Sequence, residues 1–334
     1  MDKKNIVFYT VFFLVIIIII FTIINQLNLS NYRIKIKYTP KFIDLINTKL
    51  NDNSSKLIFI SHLELGDSIT LNGAVRYFCS KYNTVIMPCK KLFYKQVQFM
   101  YSDLSNLILY KVPDKNIYQK MNLYIPYDEN SIELYNKYNI NIIAMGCFIS
   151  QYNSNNNINN EYPFPLWSYK NLNLNINLMY NNFKINRNYE RENELYTQLI
   201  NIIGDKYVVI IDDEKRNFTI NSKYLMHIKY PIFKMSNNSS NIIPELNTVR
   251  DPIVFNNIKI LENAQEIISI DSSIPWIIDI LNINVKTTIH TYMRDGNIAF
   301  RNKNITIISG SLIERLPAFF NISTYNSKFC NLFN

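Results

Sequence analysis

LIFISHLELGDSITLNGAVRYFCSKY, residues 57–82, carries an apolar strand into a turn ending Gly66-Asp67 and directly on into an amphipathic helix. Leu71, Ala74, Val75, Phe78, Cys79 and Tyr82 recur at i, i+3, i+4, i+7, i+8 and i+11, the spacing of one apolar helix face. A strand–turn–helix unit of this kind is the ligand-handling corner of a doubly wound α/β domain. Two of the chain's six glycines, Gly66 and Gly73, fall within it.

Working outward, the spacing predicts strands at 57–60, 84–87, 107–110 and 140–144, with helical patterns at 68–82, 92–101 and 131–138. Strands alternating with helices call for a parallel sheet. QYNSNNNINN (151–160) reads as a loop, and a second block opens with a helix at 190–203 and a buried strand at 207–211. The stretch 311–334 reads as a closing helix with a ragged tail. The chain is thus two α/β halves joined by a linker, and its 334 residues suffice for two domains.

Composition bounds the rest. A net charge of +9 suits anionic partners, yet no zinc-finger or RNP-like pattern is present and nucleic acid is not expected as a partner. Cys79, Cys89, Cys147 and Cys330 form no CxxC pair, and His62, His227 and His290 show no metal-ligand spacing. GxSxG and GxxxxGK[ST] are both absent, which disfavours serine hydrolases and P-loop NTPases. No D-x-D occurs to hold a divalent ion on a nucleotide diphosphate.

The N-terminus carries a separate signal. Residues 6–24 are uncharged and include VFFLVIIIIIF. As a helix they would reach about 28 Å, close to one hydrocarbon thickness. The expectation is a single membrane-spanning anchor within 1–30 and a basic linker over 31–55. Lys3 and Lys4 stand on one side and Arg33, Lys35, Lys37 and Lys41 on the other, a balance that slightly favours a cytosolic body. Seven N-x-S/T sequons in so Asn-rich a chain do not settle the side.

Three constellations could carry chemistry. Asp67 stands at the carboxyl end of the first strand, with Gly66 before it and Asn72 and Arg76 one turn apart on a polar helix face. Spacing alone equally allows Asp67 to be a helix cap. IISIDSSIPWIIDIL (267–281) brings a strand to Asp271, then Ser272 and Ser273, then a helix with Pro275 in its first turn. The two serines suit phosphate or sugar hydroxyls, or serve as an ordinary N-cap. YVVIIDDEKRNF (207–218) delivers Asp212, Asp213, Lys215 and Arg216 to a sheet edge, where the cations match phosphate oxygens or form a solvated turn.

Taken in order, LGDSITLNGAVRYF (65–78), NFKINRNYERENELY (182–196) with YVVIIDDEKRNF, and ILENAQEIISIDSSIPWIIDIL (260–281) resemble glycosyltransferases of the GT-B architecture, specifically the heptosyltransferase-like (family 9-like) group. The resemblance spans roughly residues 56–310. It implies two Rossmann-like domains, an acceptor domain over 56–185 and a nucleotide-sugar donor domain over 186–334, behind the transmembrane helix. It implies metal-independent, inverting sugar transfer from a nucleotide-activated sugar to a glycan, lipid or protein hydroxyl, with no cofactor. By motif, Asp67 would be the general base, with Gly66, Asn72 and Arg76 on the acceptor side. Asp271, Ser272 and Ser273 would contact the donor, while Arg216 with Lys215 would neutralise its diphosphate. The sequence departs from the pattern at Leu63-Glu64-Leu65, where the group has a Gly-rich turn, and at Ser273, where it has glycine. The competing expectation is a catalytically silent GT-B-like membrane protein that binds glycan or scaffolds an assembly.

Overall fold

The computed structural model describes residues 55–60, 64–112, 140–144, 165–236, 238–291 and 298–309. The anchor at 6–24, the linker at 31–54, the 131–138 helix, the 151–160 loop and the C-terminal stretch 311–334 lie outside the described residues. Among the described residues, no helix is long and apolar enough to cross a membrane.

Two separate parallel sheets organise the described residues. The first contains β1 (Lys56–Ile60), β2 (Thr84–Lys90), β3 (Leu107–Val112) and β4 (Ile140–Ala144), in the order β3-β2-β1-β4. The second contains β5 (Val208–Ile211), β6 (Ile232–Lys234), β7 (Glu266–Ile270), β8 (Thr287–His290) and β9 (Ile305–Ile308), in the order β6-β5-β7-β8-β9. Every pairing within the two sheets is parallel. Strands buried on both faces read as continuous apolar runs, as VVII does; EIISI is buried throughout although it carries Glu266 and Ser269.

The helices that position the site are α1 (Leu65–Thr70), α2 (Asn72–Cys79), α3 (Tyr94–Met100), α4 (Leu166–Asn171), α5 (Asn177–Asn181), α6 (Tyr189–Ile203), α7 (Ile258–Glu262) and α8 (Ser273–Ile280). Parity along β5 and β7 assigns the two faces of the second sheet. Val209, Ile211 and Ile267 join the large core with Leu195, Leu199, Ile277 and Ile278, whereas Val208, Ile210, Ile268 and Ile270 face Phe218 and Ile220. The large core is continuous with the first sheet through Leu57, Phe59, Val85 and Met87. Each such side chain, fully buried, is worth about 1.5–3 kcal/mol of transfer free energy.

The helix expected over 68–82 is instead two, kinked at Leu71 (φ −89, ψ 0). The reason is local. Ser68 Oγ donates to Glu64 O at 3.0 Å and Thr70 Oγ1 to Asp67 O at 3.0 Å, the back-bonding that bends helices. Tertiary contacts then replace what the short α1 lacks: Tyr169 Oη donates to Thr70 O at 2.8 Å and Tyr101 Oη to Ser68 O at 3.4 Å.

Candidate functional site

Ligands of open α/β sheets bind beyond the carboxyl ends of the strands, where the strand order reverses. In the first sheet that point lies between β1 and β4, and in the second between β5 and β7. After β1, β5 and β7 come Asp67 in the first turn of α1, Lys215 in a short turn, and Asp271-Ser272-Ser273 at the start of α8.

The β1 turn is held from below. Glu64 takes the N-cap position of α1 with extended backbone, and its carboxylate pairs with Lys90 Nζ at the end of β2. Asp67 sits in the first turn of α1, half-buried, and does not occupy the cap position. On the second sheet, Ser272 takes the N-cap position of α8 in extended conformation (φ −148, ψ −169), but makes no side-chain cap bond. Its Oγ is buried without a hydrogen-bond partner. Ser272 thus makes no ordinary cap bond. Asp271 N donates to His290 O at 3.3 Å, which ties the turn to β8.

These two turns meet. A Cβ built on Gly66 would lie 3.7 Å from Trp276 Cδ1 and 3.8 Å from Ser273 Cα, ordinary van der Waals distances. The start of α1 therefore abuts the start of α8. The Ile274, Ile277 and Ile278 stripe buries α8 against the core, and Trp276 packs on Phe300 with ring centroids 4.5 Å apart. Asp279, further along the helix, is clasped on both oxygens: Arg301 N and Asn302 N each donate to Oδ1 at 2.7 Å, and Tyr180 Oη donates to Oδ2 at 3.0 Å. Burial raises its carboxyl above the usual range.

The β5 loop splits its charges. Asp212 and Asp213 are buried, the first accepting from Ser239 Oγ and the second from Asn238 Nδ2 at 3.0 Å. Burial raises Asp212, while Lys234 beside Glu214 lowers that carboxyl. Lys215 is exposed within the short turn Glu214–Arg216, which also contains Arg216. Asn217 (φ 58) in left-handed conformation closes the loop, and Asp213 and Phe218 exchange backbone bonds of 2.9 Å.

Asn72 and Arg76 bond to the chain around them, to Lys184 on the segment that links the two halves and to Met100 and Asp103 within the first. Asn72 is fully buried, with Oδ1 accepting from Arg76 Nε at 3.0 Å and Lys184 N at 3.1 Å. Arg76 grips Asp103 with two nitrogens, at 3.0 and 2.9 Å, and donates to Lys184 O at 2.7 Å. The Arg76 bonds hold the Asp103 carboxyl well below the usual range, with Lys184 assisting. A guanidinium so occupied positions α2. Gly73 belongs to the same node, since a Cβ there would lie 1.9 Å from Leu178 O of α5.

Sequence reasoning missed Lys90, Tyr180, Asp279 and His290 as parts of this region. Lys90 and His290 each end a buried strand, and a charged or imidazole side chain there was the available signal. His290 is fully buried, with its ring 4.6 Å from that of Tyr224. Among the described residues, no group of three or more His, Cys, Asp or Glu side chains could hold a metal ion.

No protein-family model matches the chain, and no curated protein matches it significantly. Among solved structures it is similar to a family 9 glycosyl transferase from Veillonella parvula DSM 2008, at 9% identity and TM-score 0.44, covering 84% of this chain and 97% of that one. It is also similar to ADP-heptose LPS heptosyltransferase II of E. coli, at 9% identity and TM-score 0.41, covering 83% and 97%. With identities and TM-scores this low, neither likeness assigns an activity to this chain.

Proposed function

We propose that the chain is a glycosyltransferase that moves a sugar from a nucleotide-activated donor to a hydroxyl acceptor without a metal. The observation that carries this reading is the abutment of the Gly66-Asp67 turn on the Asp271-Ser272-Ser273 turn, each at the carboxyl edge and order-reversal point of its own sheet.

The chemistry follows from the groups present. Asp67 takes the proton of the acceptor hydroxyl as its oxygen forms a bond to the anomeric carbon. The bond from that carbon to the departing diphosphate oxygen breaks in the same displacement, which inverts the centre. Ser272 Oγ, a buried hydroxyl with its hydrogen-bonding capacity unused, is available to the donor. Lys215 and Arg216 meet the charge that develops on the leaving diphosphate. Residues 6–24 would hold this body at a membrane, as their length and lack of charge suit.

The test is nucleotide diphosphate release by the purified full-length chain across a panel of nucleotide-sugars, with and without chelator. Release by at least one donor, unaffected by chelator and lost in Asp67→Asn, supports the reading. A chain that binds the donor yet releases nothing is the silent binding protein instead.

A further inference from the structure

A cavity of about 640 Å³ lies between the two halves and shares no lining residue with the Asp67 and Ser273 turns. One wall is Lys91 and Leu92 of the β2–α3 connection with Lys95 and Gln96 of α3; the other is Asn188 and Arg191 at the start of α6 with Asp251, Pro252, Ile253 and Asn256. The halves touch beside it: Val254 N donates to Gln96 Oε1 at 3.2 Å, and Phe99 stacks on Phe255 at 5.8 Å.

Two features of the lining ask for a ligand. The charges are three cations to one carboxylate, and Asp251 is already spent on Arg191 Nε at 2.9 Å. Lys91 and Lys95 are exposed on the first wall, and neither pairs with a carboxylate among the described residues. Opposite them stands Asn256, only 6% exposed, whose Oδ1 has no hydrogen-bond partner. A buried amide oxygen without a donor destabilises the fold, and a ligand hydroxyl would supply the missing bond. Leu92, 67% exposed, leaves an apolar rim of the kind that lies against the C–H face of a sugar ring.

We infer that this cavity binds a phosphorylated monosaccharide unit, its phosphate between Lys91 and Lys95 and a ring hydroxyl donating to Asn256. Because the two contacts come from opposite walls, the ligand ties the halves together. The volume falls in the range of small-molecule sites. This site stands apart from the sugar-transfer reading and does not rest on Asp67.

Calorimetric titration of the full-length chain with glucose 6-phosphate, glucose and inorganic phosphate tests it. Glucose 6-phosphate is expected to bind about tenfold or more tightly than either part alone. The double variant Lys91→Ala/Lys95→Ala should lose about tenfold for glucose 6-phosphate and for phosphate, with its melting temperature unchanged because both side chains are exposed. Asn256→Ala should weaken glucose 6-phosphate and leave phosphate as it was. Trehalose 6-phosphate binding as well as glucose 6-phosphate would mark the end of a longer glycan as the source, and exclusion of the disaccharide would mark a free sugar phosphate. Glucose 6-phosphate binding no tighter than phosphate, or unaffected by the lysine pair, would overturn the assignment. Nucleotide diphosphate binding by the same variants reports separately on the donor turn.

Discussion

Ser273 Cα would stand 3.8 Å from a Cβ on Gly66, so the turn after β1 and the turn after β7 are in direct contact across the two halves. That distance is ordinary contact, so Gly66→Ala should fold, with a change within about 1 kcal/mol by urea denaturation. Gly66→Phe cannot be seated without moving α8 away from α1. It should abolish transfer while leaving the far-UV circular dichroism of both halves in place.

Gly73 behaves in the opposite way. The atom a methyl group would strike is Leu178 O, a backbone carbonyl that no rotamer change can move. Gly73→Ala should therefore cost about 1–3 kcal/mol or more, measured as a lower urea midpoint, although alanine is the better helix former.

The contrast between these two glycines shows what was legible in the sequence. Strand starts at Thr84, Leu107 and Ile140 and the helix ending at Ile203 follow from apolar runs and periodicity, and the structure places them there. Both turns of interest were visible because Asp271 ends an apolar run and Asp67 follows one across a short polar turn, each just before a helical pattern. The kink at Leu71 was not, since it depends on which carbonyls the Ser68 and Thr70 hydroxyls choose. Nor were the roles of Asn72 and Arg76. Their helical spacing is right, but what they face, Asp103 and Lys184, is fixed by tertiary packing that no local pattern encodes.

Arg76 should behave as a structural residue. Arg76→Gln takes the two-nitrogen grip off Asp103, leaving it only Lys184 Nζ, and leaves Lys184 O only the longer Asn72 bond; it should cost about 2–4 kcal/mol. Asp103 is held low in the folded state, so its contribution is present above the unfolded carboxylate value of about 4 and is lost as pH falls toward the folded value. The wild-type chain should therefore lose stability below about pH 4 more steeply than Arg76→Gln. Parallel stability profiles for the two would contradict the assignment.

Asp279 carries the reverse sign. Its folded carboxyl is raised by burial, so ionising it opposes folding as pH climbs from about 4 through the folded value. Asp279→Asn keeps an oxygen for the Arg301 and Asn302 amides and removes the ionisation. Its stability relative to wild type should rise across that interval, as followed by thermal melts. Asp279→Leu leaves both amides and the Tyr180 hydroxyl without an acceptor and should be strongly destabilised.

The most direct measurement is sugar transfer and nucleotide diphosphate affinity for wild type and Asp67→Asn side by side. A carboxylate that only removes a proton predicts a fall in turnover of about 100-fold or more at near-constant nucleotide affinity. Wild-type turnover retained in Asp67→Asn would contradict the role given to this turn.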